Sequence, residues 1–157
     1  MKRQDKYPET DTFLYYNANP KNRMTGDCWL RAISTGLEED YNEVLMEMVQ
    51  VHIDTGYEMS CDKAVDRYLE SKGWVKHKQP RKDDNTKYTG SEWCKWLSVN
   101  FPKGETGNII CNIGGHHMVA IKPTNHGDGI NSRYKVLDIW DSTYRCIGNY
   151  WTKRSSK

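Results

Sequence analysis

The sequence predicts a single α+β domain, with helices first and an antiparallel sheet after them. Three observations carry that reading. Apolar residues recur at helical spacing in four segments before residue 100. From Gly107 onward the period changes to strand-like alternation. The length of 157 residues suffices for one well-buried core, and a second independent domain is not expected. The whole chain, 1–157, is therefore read as one domain with a core of about 22–151 and short polar, basic ends.

Taken in order, the first 25 residues are polar around the aromatic run Phe13-Leu-Tyr-Tyr16, which reads as a short extended segment followed by a loop. Gly26 and Asp27 then read as a turn and an N-cap, opening a helix from Cys28 to Leu37 with Trp29, Ala32, Ile33 and Leu37 at helical spacing. Asp40 with Glu43 has the form of a capping box for a second helix, whose apolar positions are Tyr41, Val44, Leu45, Met48 and Val51. A third helix is expected from Cys61 to about Lys72, stopped by Gly73. The segment from Lys76 to Thr89, with Pro80 and a charged run, reads as a surface loop. Ser91 to Val99 reads as a short helix carrying Trp93, Trp96 and Leu97. Two strands, 108–113 and 116–121, follow around Gly114-Gly115. A turn-rich stretch, 123–131, leads to two further strands, 134–140 and 144–151.

Composition limits the function classes. There are 23 basic and 21 acidic residues, a net charge of +2, with the basic residues scattered. That balance predicts no obligatory nucleic-acid partner and no membrane partner. No apolar stretch is long enough for a membrane span and the N-terminus lacks a signal-peptide core, so a cytoplasmic protein is expected. Five cysteines without CxxC spacing point to free thiols, and no cofactor or structural metal is called for.

One thiol stands apart. Cys28 opens an amphipathic helix, where unpaired backbone N–H groups and the positive dipole end favour a thiolate. A nucleophilic thiolate needs a base, a group that orients the base, and donors for the oxyanion. His117 leads a strand of alternating pattern after two glycines, and Asp138 and Asp141 lie in the next strand. If the two strands pair antiparallel, a carboxylate there can accept from the imidazole.

This order of residues resembles the papain-like cysteine peptidase superfamily over about 22–151. It is most similar to small papain-like proteins of bacteriophages and bacteria with a GDC–RAI opening, a GH–VA strand and a DxWD segment followed by NYW. Here these read Gly26-Asp-Cys28 with Arg31-Ala-Ile33, His116-His117-Met-Val-Ala120, Asp138-Ile-Trp-Asp141 and Asn149-Tyr-Trp151. The run from Gly26 to Ser34 also looks like the nucleophile helix of ovarian-tumour-type deubiquitinases, but Thr25 stands where they carry Asp. The resemblance implies a nucleophile helix packed on the sheet and a cysteine hydrolase acting on a peptide, isopeptide or related amide bond through a Cys28 acyl-enzyme. Its substrate would be a protein or peptide, including a host protein in the host cytoplasm if the chain is phage-encoded. Transfer of the acyl group to an amine, or non-catalytic binding of a host factor on the same fold, are the competing readings.

Within that pattern His117 is preferred to His116. It stands directly before the apolar run and shares a strand face with Val119 and Ile121. Asp138-Ile-Trp140 resembles the Asn-Ser-Trp of papain, where Trp shields the orienting contact, whereas Asp141-Ser142 resembles the Asp-Pro of leader-processing peptidases. Asp138 is favoured and Asp141 retained. The family's oxyanion-hole Gln, six positions before the nucleophile, corresponds here to Asn22, with the same carboxamide on a shorter stem.

Plainer roles are expected elsewhere. Cys61, Cys94, Cys111 and Cys146 read as small core residues. The Trp93/Trp96 pair reads as helix core, and Trp140 and Trp151 as packing residues, with Trp140 a possible cover for the triad. Arg31 reads as a structural anchor paired with a carboxylate. A metal cluster of His116, His117, His126 and Asp128 lacks ligand spacing.

Overall fold

A computed structural model of the chain describes residues 1–124 and 133–154. Among these residues five helices and a six-stranded mixed sheet form an α+β arrangement. The helices are α1 (Arg3–Lys6), α2 (Cys28–Leu37), α3 (Tyr41–Thr55), α4 (Asp62–Ser71) and α5 (Gly90–Asn100). The strands are β1 (Phe13–Tyr15), β2 (Trp74–His77), β3 (Ile109–Ile113), β4 (His117–Pro123), β5 (Tyr134–Asp138) and β6 (Ile147–Lys153), in the spatial order β1-β5-β4-β3-β6-β2. No helix among the described residues is long and apolar enough to cross a membrane.

Alternation along the strands divides the core into two layers. Ile110, Met118 and Trp151 join Leu30, Ile33, Val44, Met48, Val65 and Leu69, so α2, α3 and α4 cover one face. Ile109, Cys111, Ile113, Val119 and Ile121 join Trp93, Cys94 and Leu97, so α5 covers the other. The innermost helix, α2, buries seven consecutive residues from Leu30 to Gly36. That run includes the polar Arg31, Ser34 and Thr35, so burial of α2 extends beyond its apolar stripe.

Local signals set most of the boundaries. The Asp40 side chain accepts from Glu43 N–H at 3.1 Å and starts α3. Thr89 and Glu92 close a full capping box on α5. Gly73, at φ 82°, takes the left-handed conformation two residues past the end of α4. The antiparallel pairing of β3 with β4 turns through Gly114 (φ 64°) and Gly115 (φ 93°), which sets His117 at the first position of β4.

Three expectations need correction. The sheet is mixed, because β1 pairs in parallel with β5, Tyr15 opposite Asp138. Main-chain bonding, which residue patterns do not reveal, decides that direction. The loop expected from Lys76 begins later: Trp74–His77 forms the edge strand β2 against β6, with Trp74 buried beneath α4. The two C-terminal strands are shorter than their aromatic runs, since β5 stops at Asp138 and β6 starts at Ile147. The intervening residues are held in turns, as where Arg145 N–H donates to Ser142 C=O at 2.9 Å. Most of the turn-rich stretch, 125–131, lies outside the described residues.

The seam between α2 and β3 has no room to spare. A Cβ at Gly36 would overlap the side chain of Ile110, itself fully buried between α2 and the sheet. Gly36→Ala is expected to destabilise the fold by about 1–3 kcal/mol through overpacking, despite the better helix propensity of alanine. A urea unfolding midpoint equal to or above that of the wild type would contradict this seam.

Candidate active site

Three element ends meet at the rim of the sheet: the start of α2, the start of β4 and the end of β5. They bring Cys28, His117 and Asp138 together. Cys28 and His117 are electrostatically coupled, each favouring the charged form of the other, and the Met118 backbone also favours the Cys28 thiolate. The other side of the imidazole, Nε2, lies 2.5 Å from Asp138 Oδ2. Nδ1 is thus the ring nitrogen left for the thiol. By strand parity His117 belongs with Val119 and Ile121 on the α5 side.

Asp138 is 2 % exposed, and its carboxylate is fully engaged. Oδ1 accepts from Arg31 Nη1 at 2.6 Å and from Ile139 N–H at 2.7 Å, while Oδ2 meets His117. Arg31, one turn along α2 from the thiol, also donates from Nε to Asp27 Oδ1 at 2.9 Å. One buried guanidinium therefore ties the start of α2 to the end of β5. Arg31 does act as the anchor its spacing implied, and the i,i+4 offset from Asp27 was the legible half of that role.

Asp27 departs from expectation. It occupies the N-cap position of α2, but its side chain makes no capping bond. Its oxygens are taken instead by Arg31, by Tyr41 Oη at 2.7 Å and by Asn19 Nδ2 at 3.1 Å. Burial opposes ionisation of Asp27, yet these donors together hold its pKa below the ordinary value. The first backbone N–H groups of α2 are consequently not covered by their own cap residue. Cys28 opens the same helix turn, which places these uncapped donors at its end of α2. Neither Asn19 nor Tyr41 carries a sequence signal for this task.

The electrostatics favour a charged pair. Burial pushes the Cys28 thiol up, but the hydrogen bonds from His117 and Met118 N–H and the charges of His117 and Arg31 bring it below 9.0. Burial pushes His117 down, but Asp138 and Cys28 raise it to about 9. Between the lowered thiol value and about 9, the thiolate–imidazolium form is preferred. Protonating the sulfur removes the pair at the acid end, and deprotonating the imidazolium removes it at the alkaline end.

The remaining expected residues separate. Asp141 is not joined to His117: its Oδ1 accepts from Thr143 N–H at 2.9 Å and from Thr143 Oγ1 at 2.5 Å, closing a turn on itself. Trp140 does cover the imidazole, with ring centroids 4.9 Å apart. Asn22 is exposed in a left-handed turn (φ 54°), its side-chain oxygen 3.4 Å from Asn17 Nδ2, and no described bond links it to the three site residues. His116 is exposed in the turn before β4. His126 and Asp128 lie outside the described residues, and among the described ones no group of three or more His, Cys, Asp or Glu could hold a metal ion. Cys94 and Cys111 are core thiols, whose pKa values burial raises. Cys146 is exposed just before β6, in an isolated antiparallel bridge with Thr89. Of the tryptophan pair, Trp93 is buried, whereas Trp96 is 41 % exposed beside Tyr88 and Phe101.

Removing Arg31 leaves two buried carboxylates short of a cation. Arg31→Gln is expected to cost about 3–5 kcal/mol of stability. In the fraction that folds, the Cys28 thiol should titrate higher than in the wild type, because a neighbouring positive charge is gone. Arg31→Lys should recover only part of either effect, since one ammonium cannot span both carboxylates as the planar fork does. An unchanged unfolding midpoint together with an unchanged alkylation pH profile would contradict the bridge. No family model, curated protein or solved structure matches this chain.

Proposed function

We propose that the protein is a cysteine hydrolase of papain-like type that cleaves a peptide, isopeptide or related amide bond. The single observation that carries this reading is the connected series Cys28–His117–Asp138, with the thiol lowered and the imidazole raised by each other and by their neighbours. In the proposed cycle the Cys28 thiolate attacks the carbonyl carbon. The oxyanion is received by backbone N–H groups at the start of α2. The His117 imidazolium then gives its proton to the departing amine as the carbon–nitrogen bond breaks. Water adds to the acyl-enzyme with His117 as base, and release of the carboxylic acid restores the thiol. Asp138 holds the imidazole in its tautomer and balances its charge throughout.

Alkylation by iodoacetamide, followed residue by residue by peptide mass spectrometry, tests the nucleophile. Cys28 should react ahead of the exposed Cys146 near neutral pH, with a rate that rises below pH 9.0 and changes again near 9. His117→Ala should abolish that advantage. Equal labelling of Cys28 and Cys146, or an advantage that survives His117→Ala, would remove the proposal.

The two aspartates are separated by a peptidyl acyl probe directed at thiols. Asp138→Ala is expected to slow acylation of Cys28 by about a hundredfold or more, within the usual range for an acid–base group that loses its function. Asp141→Ala should leave the rate within a few-fold, because its contacts end in its own turn. Reversal of that order would reassign the orienting group.

A further inference from the structure

A cleft of about 700 Å³ opens between the Gly114-Gly115 turn and the segment that precedes β6, with Asn112, Lys87 and Arg145 among its walls. Its Arg145 is exposed yet held in place. The guanidinium carbon lies 5.2 Å from the ring centroid of Trp140 and 5.7 Å from that of Tyr144. On its other side the Arg145 stem crosses Gly114 so closely that a Cβ at Gly114 would collide with it. Neither Arg145 nor Lys87 forms an ion pair among the described residues, and Asp62 is the one carboxylate on the cleft wall. A planar fork held by stacking and left without an anion is suited to bidentate recognition of a carboxylate.

The position of the cleft relative to the chemistry gives it a direction. Trp140, which carries Arg145 on its ring, also packs on His117 at 4.9 Å. His117 must protonate the departing amine, so the leaving part of a substrate emerges on the His117 side of the thiol. An extended peptide advances about 3.3 Å per residue, so it would pass Arg145 within about three residues of the broken bond. Resting on the hydrolase reading, we propose that this cleft binds a substrate carboxylate on the leaving-group side, from an acidic side chain or from the chain terminus. The substrate class is thus an acidic or carboxyl-terminal peptide segment, with Arg145 its specificity-determining residue.

The test uses peptide libraries in four matched forms, with Glu or Gln in the three positions after each candidate bond, and with the C-terminus free or amidated. Cleavage products are mapped by mass spectrometry. The wild type should cleave carboxylate-bearing members with kcat/KM about tenfold or more above their carboxamide counterparts, as a charge-assisted pair implies. The Glu/Gln arm reports a side chain and the free/amidated arm a terminus. Arg145→Gln should bring the ratio near one, and Arg145→Lys should restore part of it. Cleavage without a carboxylate preference, or a preference that survives Arg145→Gln, overturns the proposal. Absence of any Cys28-dependent cleavage removes the hydrolase reading instead, and the cleft is then read by binding alone. Retention of carboxylate over carboxamide peptides by the Cys28→Ala protein, lost on adding Arg145→Gln, still supports the cleft assignment. Equal retention overturns it.

Discussion

The buried guanidinium of Arg31 is the interaction on which the rest of the site depends. It reaches Asp27 at the head of α2 and Asp138 at the end of β5, and so fixes two elements that no hydrogen-bond ladder joins. It also sets the local charge. Two carboxylates against one guanidinium leave a negative excess in a poorly solvated place, and an imidazolium at His117 answers it. That explains why His117 is raised to about 9 despite burial, and why the imidazole can hold a proton given up by the Cys28 thiol. The lowering of the Cys28 thiol is thus tied to a network whose centre lies one turn deeper in the helix.

The same network explains an apparent defect at the start of α2. An Asp at an N-cap ordinarily spends its side chain on the free N–H groups of the first turn. Here Asp27 faces Arg31, Tyr41 and Asn19 instead, and the helix loses a stabilising cap. What it keeps is a set of uncapped backbone donors in the turn that Cys28 opens, the kind of feature the proposed acyl transfer would use for developing negative charge. Packing holds the helix despite the missing cap, since seven of its residues are buried between α3 and the sheet.

Much of the architecture was legible in the sequence because it rests on local rules. Helix α2 begins and ends where the periodicity of 28–37 placed it, and α4 stops at the glycine that allows a left-handed turn. Strands β3 and β4 were visible through alternation around a glycine pair, and their register put His117 where a strand-leading histidine was expected. The parallel pairing of β1 was not legible, for strand direction is decided between segments more than a hundred residues apart. The choice between Asp138 and Asp141 was closed only by geometry: both follow the same strand pattern, but one meets His117 and Arg31 while the other turns back to Thr143. Asn22 followed from an offset along the chain, and its turn leaves that offset without a bond to the site. Arg145 was hidden for a similar reason. Its place beside Trp140 depends on the turn before β6, which the aromatic run from Tyr144 disguised as strand.

The proposed ion pair stands or falls on the protonation of His117. Nitrogen-15 and proton chemical shifts of its ring, followed across pH, read that directly and need no substrate. An apparent pKa near 9, with the imidazolium present through neutral pH, is the result expected of a histidine paired with Asp138 and with a thiolate. A transition at or below the ordinary 6.5, leaving a neutral ring at pH 7.5, would contradict the ion pair and the mechanism built on it.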